Sequence, residues 1–222
     1  MFYKDTRQVY RSRELDALPW LVHGFGTRQS DIPGWFANLA TVKQIHSANV
    51  VAAEGRCGVL GEGDALLEDR EGSVVAVRTA DCLPILLVDE RHRAVAAVHA
   101  GWRGTAAHIV SAAVDAMHAR FATAPADLHA AIGPGIGECC YEVGPEVAAH
   151  FGRQARVHIS LTDANRAQLV AAGVTPERIY ASNLCTMCRG DEFHSFRRDR
   201  EAAGRLYSFV GIGLPGSFRA LK

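Results

Sequence analysis

Apolar residues come in short unbroken runs through the middle of the chain. Val74-Val75-Ala76-Val77, Ile85-Leu86-Leu87-Val88 and Ala94-Val95-Ala96-Ala97-Val98 have the length and β-branched content of strands buried on both faces. Between the last two lies the polar stretch Asp89-Glu90-Arg91-His92-Arg93, which predicts a tight turn and therefore a hairpin. Residues equidistant from its centre face one another, so Cys82 and His99 come within reach. Further along, Ile109, Val110, Ala113, Val114 and Met117 recur at helical spacing and predict an amphipathic helix over 105–121. Residues 128–132 read as a strand that ends in a Gly-Pro-Gly turn. Residues 145–151 and 163–172 read as helices, the second capped by Thr162 or Asp163. Ile179-Tyr180-Ala181 and residues 206–210 are further strands. Strands and helices do not alternate strictly, so the expected fold class is α+β, one domain over 1–222 with mixed β-sheets packed against helices.

Composition adds bounds. The chain has 222 residues, 48% of them hydrophobic, and 24 basic against 24 acidic side chains. That is the makeup of a globular domain long enough for a substantial core. The balanced charge offers no basic face for nucleic acid, and no run reaches the length of a membrane span. The opening residues carry early charges without the apolar core of a secretion signal, which predicts a cytoplasmic protein. Its six cysteines are then expected as reduced thiols, some of them ligands or catalysts, rather than as disulfides.

Candidate chemistry gathers where apolar runs give way to polar sequence. Cys82 and His99 stand at such margins, and so does His46, just before Val50-Val51. Zinc accepts imidazole nitrogen and thiolate sulfur, and a catalytic zinc keeps three protein ligands with a fourth position open. Spacing alone does not single out His46 among ten histidines. Asp81 adjoins Cys82, and strand alternation would send the two side chains to opposite faces, which suits an orienting role. Asp64 is a second carboxylate, at a loop–strand junction. Cys185-Thr186-Met187-Cys188 invites a redox or zinc-knuckle reading, but the adjacent Cys139-Cys140 lack the spacing of the usual second chelating pair, so reduced thiols are expected there.

Several motifs together resemble one family. They are His23-Gly24-Phe25-Gly26-Thr27-Arg28, Gln44-Ile45-His46-Ser47, Thr79-Ala80-Asp81-Cys82-Leu83-Pro84 and His99-Ala100-Gly101-Trp102-Arg103-Gly104. The series continues with Gly133-Pro134-Gly135-Ile136-Gly137-Glu138-Cys139-Cys140-Tyr141-Glu142-Val143-Gly144, Asn183-Leu184-Cys185-Thr186, Ser195-Phe196-Arg197-Arg198-Asp199 and Gly204-Arg205. In this order, over nearly the whole chain, they resemble the YfiH-like family, whose common label is multicopper polyphenol oxidase or laccase domain. The resemblance implies an architecture related to the cytotoxic necrotizing factor deamidases. It implies zinc ligands at His46, Cys82 and His99. It also implies enzymes acting on purine nucleosides, by phosphorolysis of adenosine, inosine and methylthioadenosine and by deamination of adenosine. A bacterial branch of the family is implicated in peptidoglycan-precursor quality control. One departure is the shortened segment 29–42, where Pro33-Gly34-Trp35-Phe36 stands in place of a helix.

The leading expectation is thus a zinc-dependent purine nucleoside phosphorylase, also an adenosine deaminase, acting as a monomer on nucleosides and phosphate. Its catalytic candidates are Cys82, His99, Asp81 and Arg103, and its substrate- and phosphate-binding candidates are Arg28, Gln44 and Arg197. The His-x-Glu…Pro-Cys-x-x-Cys signature of known zinc nucleobase deaminases is absent. A second expectation is a cysteine hydrolase or deamidase with Cys82 as nucleophile and His99 as base. Copper oxidation is disfavoured, because none of the ten histidines forms a His-x-His pair.

Overall fold

The computed structural model describes residues 1–213; the last nine positions of the expected domain lie outside the described residues. Numbered along the chain, the early strands are β1 (Phe2–Lys4), β2 (Val9–Ser12), β3 (Leu21–Gly26), β4 (Leu39–Lys43) and β5 (Val50–Ala52). The central ones are β6 (Gly58–Glu62), β7 (Ala65–Glu68), β8 (Val74–Thr79), β9 (Leu83–Asp89) and β10 (Ala94–Ala100). The later ones are β11 (Leu128–Ile132), β12 (Glu142–Val143), β13 (Val157–His158), β14 (Ile179–Ala181) and β15 (Leu206–Ile212). Helices α1 (Arg13–Asp16) and α2 (Ile32–Trp35) precede α3 (Trp102–Ala106) and α4 (Ile109–Phe121). After them come α5 (Pro145–Ala148), α6 (Leu161–Ala171) and α7 (Phe196–Asp199).

Two mixed sheets lie face to face. One runs β1-β2-β3-β15-β8-β4-β6 and the other β14-β11-β9-β10-β7-β5. Alternation along the central strands shows why their sequences are apolar throughout. Leu86, Val88, Val95 and Ala97 point toward Phe25, Val75, Val77 and Val210 of the opposing sheet. Ile85, Leu87, Ala96 and Val98 point the other way, onto Ile109, Val110, Ala113, Val114 and Met117 of α4. A strand covered on both faces has no solvated side, so no polar alternation survives in it. Ile32 and Phe36, both within the short segment 29–42, cover the outer face of the seven-stranded sheet against Val22, Val74 and Phe209. Within that segment Pro33 and Gly34 lie inside the single turn of α2, capped by Asp31, which accepts from the Gly34 amide. Among the described residues no helix is long and apolar enough to cross a membrane.

The expected hairpin forms with Asp89 opposite Ala94 and Pro84 opposite His99. Asp89 organises its turn: one carboxylate oxygen accepts from the Arg91 and His92 amides, the other from His92 Nδ1. Two helices depart from their expected bounds. The helix expected over 105–121 begins earlier and is broken: α3 starts after Gly101, and α4 begins after His108, whose φ of 59° is left-handed. The break lets α3 follow β10 directly while α4 lies along the sheet. The cap of α6 is Ser160, whose hydroxyl accepts from the Asp163 amide, because Leu161, buried in the core, occupies the first turn.

Candidate metal centre and cleft

His46, Cys82 and His99 come from three separate segments, and the structure brings their ligating atoms to within 4.8 Å of one another. His99 is the buried member, at the end of β10. Cys82 precedes β9, and extending the hairpin register by one pair places it opposite Gly101. His46 lies in the loop after β4 with a left-handed φ of 60°, and its ring meets that of His99 edge to face, centroids 4.9 Å apart.

Asp64 builds this arrangement from a buried position between β6 and β7. Its carboxylate accepts from His46 N at 3.0 Å, Ser47 N at 2.6 Å and Ser47 Oγ at 2.8 Å. It also pairs with His99 Nδ1 at 2.8 Å. One carboxylate therefore folds the 45–47 loop and fixes the His99 ring, leaving Nε2 free for a ligand, the arrangement by which carboxylates orient metal-binding imidazoles. Burial alone would raise the Asp64 carboxyl, but the bonds from His99 and Ser47 hold it down to about 2. Burial likewise opposes ionisation of Cys82, yet the charges and hydrogen bonds of His99 and His46 bring its thiol down to about 6. His99 moves the other way, to about 9, since Cys82 and Asp64 outweigh the cost of burying its charge. Two imidazoles and a readily ionised thiol form a donor set that fits zinc. Gly101 keeps space for it: a Cβ there would stand 2.7 Å from Cys82 Sγ and 3.3 Å from His46 Cδ2. Its φ of −76° is open to any residue, so glycine is required here by space and not by conformation.

The three side chains sit in the wall of a cleft of about 710 Å³. Arg78, Arg103, Arg197, Arg200 and Arg205 line it, together with Trp102, Tyr141 and Phe196. Arg103 lies over Trp102 at 4.3 Å, and Arg197 over Tyr141 at 5.3 Å. Burial and the Cys82 charge push the Tyr141 hydroxyl up to about 12, so it stays a proton donor at neutral pH.

The other sequence candidates divide. Asp81 lines the cleft, but not by strand alternation, since it lies in the β8–β9 connection with φ 88°. Its carboxylate accepts from Thr186 Oγ1 at 2.7 Å and Arg197 N at 2.6 Å, and its carbonyl from Ile136 N at 2.7 Å. Asp81 is thus the joint of three cleft segments. Gln44 also lines the cleft, with its amide committed to backbone: Nε2 donates to Arg78 O and Oε1 accepts from Arg78 N. Arg28 is not brought there. It donates to Gly190 O at 2.6 Å and is absent from the cleft lining. Arg78, Arg200, Arg205, Tyr141 and Phe196 are cleft residues that sequence reasoning passed over; Arg205, Tyr141 and Phe196 stood within the quoted motifs.

Fold and site define a class: a mixed α+β domain with a thiol–imidazole set placed to hold a metal at the edge of an arginine-rich cleft. Residues 28–213 match the family model described as multi-copper polyphenol oxidoreductase laccase. A purine nucleoside phosphorylase of Deinococcus radiodurans is 37% identical over 197 residues, covering 82% of this chain and 75% of that one. The adenosine deaminase RL5 of an unknown prokaryotic organism is 40% identical over 198 residues, covering 79% and 74%. The crystal structure of the Bacillus licheniformis hypothetical protein YfiH superposes with a TM-score of 0.87 at 27% identity, covering 95% of this chain and 98% of that one. The chain belongs to the YfiH-like family.

Proposed function

We propose that the cleft is the active site of a zinc-dependent purine nucleoside phosphorylase that splits adenosine, inosine and methylthioadenosine, with adenosine deamination as a second activity, in a monomeric cytoplasmic enzyme. The observation that carries this reading is the meeting of His46, Cys82 and His99 in a cleft also lined by five arginines and three aromatic residues. His46, Cys82 and His99 would hold the ion. When bound, zinc supplies a Lewis acid with an open position toward water or a substrate oxygen.

The chain's own residues account for the rest. In phosphorolysis a phosphate oxygen bonds to C1′ of the ribose while the bond from C1′ to the purine breaks. Arg103 and Arg197 are suited to hold the phosphate and remain beside its charge as it transfers to the sugar. Trp102, Tyr141 and Phe196 offer faces for a purine ring. Asp64 keeps His99 in one orientation, and Asp81 holds Arg197 through its amide. The names of the two relatives, a phosphorylase and a deaminase, support activity on purine nucleosides. A centre of three donors is short of the ligands that four coppers need, which argues against the oxidase label of the family.

The lowered thiol of Cys82 beside His99 favours one alternative, a cysteine hydrolase with Cys82 as nucleophile. Incubating the zinc-loaded protein with adenosine, with and without phosphate, separates the readings. Phosphate-dependent release of adenine and ribose 1-phosphate supports phosphorolysis, and inosine supports deamination. If neither set of products forms, the proposal is refuted.

A further inference from the structure

The adjacent cysteines, ill suited by spacing to a chelating pair, have a different relation in space. Cys139 and Cys140 lie on a single 3-10 turn, residues 138–140, beyond β11. Cys185 and Cys188 lie on the turn leading toward α7. The two turns meet, and all four sulfurs fall within 4.8 Å of one another. Cys139 Sγ is 3.7 Å from both Cys140 Sγ and Cys188 Sγ, and Cys140 Sγ is 3.4 Å from Cys188 Sγ. Four sulfurs at about 2.3 Å from one zinc stand about 3.8 Å apart along the edges of a tetrahedron. The observed separations approach that edge. They are too short to cage a polynuclear iron–sulfur cluster.

Local backbone supports the same reading. The Gly137 amide donates to Cys185 Sγ at 3.2 Å, an amide-to-sulfur bond of the kind that steadies a metal-bound thiolate. Gly137 also leaves the room: a Cβ there would come within 3.2 Å of Cys139 Sγ and of Cys185 Cβ. The turns are braced before any ion enters. Thr186 N donates to Gly135 O at 2.9 Å, and Arg198 Nη1 donates to the carbonyls of Thr186 and Met187.

We propose that Cys139, Cys140, Cys185 and Cys188 form a second, structural zinc site that clamps the loop after β11 to the loop before α7. Each cysteine contributes a thiolate, and the four protons are released as the ion binds. All four coordination positions are then protein sulfur, which closes the site to substrate. The clamp lies behind the cleft wall. Cys140 precedes Tyr141, and Thr186, between the two cysteines of the second turn, is the residue that donates to Asp81. The site orders that wall and has no part in bond making.

The test uses the full chain and metal content instead of turnover. A His46→Ala background removes the first centre, so any zinc retained reports on the second. About one zinc per chain is expected in His46→Ala protein, and none when Cys185→Ser and Cys188→Ser are added. Cobalt added to stripped His46→Ala protein should give the intense sulfur-to-cobalt charge-transfer absorption of a tetrathiolate site, and X-ray absorption of its zinc form should find four sulfurs at about 2.3 Å. Should the double serine variant fail to fold, Cys139→Ser, at an exposed position, must still alter the cobalt spectrum. The proposal is overturned if folded His46→Ala protein carries no zinc and takes up no cobalt. It is equally overturned if mass spectrometry finds any of these four cysteines in a disulfide in the native protein.

Discussion

Cys82 sits at the point where two chemistries diverge. As a metal ligand it shares its charge with the ion, and as a nucleophile it acts alone on a carbon centre. His46 decides between them, since a third ligand is indispensable to the metal but dispensable to a dyad, whose base is His99. His46→Ala and Cys82→Ala should each weaken zinc binding by orders of magnitude and abolish phosphate-dependent adenine release. Zinc analysis and product chromatography on the same samples check this. Full activity in His46→Ala protein, with Cys82→Ala dead, would hand the site to the cysteine mechanism. Gly101 permits a sharper probe, because alanine is conformationally acceptable there and fails only for space. Gly101→Ala should push the Cys82 thiol out of place and lose at least tenfold in zinc affinity, read by zinc titration of the folded variant. Unchanged affinity would mean that the ion does not occupy the space beside Cys82 and His46.

The hairpin of β9 and β10 is the element that carries His99 and aligns Cys82, and its turn rests on Asp89. This carboxylate is buried. Burial pushes its pKa up, and the Thr123 side chain, together with the backbone and ring of His92, more than offsets this and holds it below the ordinary aspartate value. A folded-state pKa below the unfolded one adds stability above the unfolded value of about 3.9, and that stability fades as pH falls through the folded value. Asp89→Asn should therefore cost about 1–3 kcal/mol at pH 7, and the gap to wild type should narrow as pH drops below about 4. Urea unfolding across pH 3–7 measures both. A gap that persists undiminished at low pH would assign the loss to altered turn geometry and not to charge.

Across the whole molecule charge balances at zero, yet five arginines line one cleft. Low-dielectric walls concentrate such a field on an anion entering between them. If phosphate is that anion, Arg103→Gln should raise the KM for phosphate about tenfold to a hundredfold, the worth of a hydrogen bond between charged groups, while the KM for the nucleoside changes less. The wild-type KM for phosphate should also rise with ionic strength, by screening. Initial rates at varied phosphate, nucleoside and salt test both, and a phosphate KM indifferent to Arg103 and salt would locate the anion elsewhere.

Much of this was legible along the chain. Doubly buried strands must be apolar on both faces, so β8, β9 and β10 announced themselves, and the polar turn between the last two set a register that brings Cys82 toward His99. Residues 128–132 and 179–181 became the strands their composition predicts. The ordered motifs selected His46, which periodicity could not. Other features were decided by tertiary structure, because they depend on residues distant in sequence meeting at set angles. The helix expected over 105–121 breaks at His108 because β10 and α4 require different directions. Asp64 became the residue that shapes the centre only when β7 brought it under the 45–47 loop and His99. Arg28 stood in a matching motif, yet its guanidinium reached the Gly190 carbonyl instead of the cleft. The four cysteines met for the same reason as the three zinc-ligand candidates: sequence supplies donor chemistry, but the distance between donors is a property of the folded backbone.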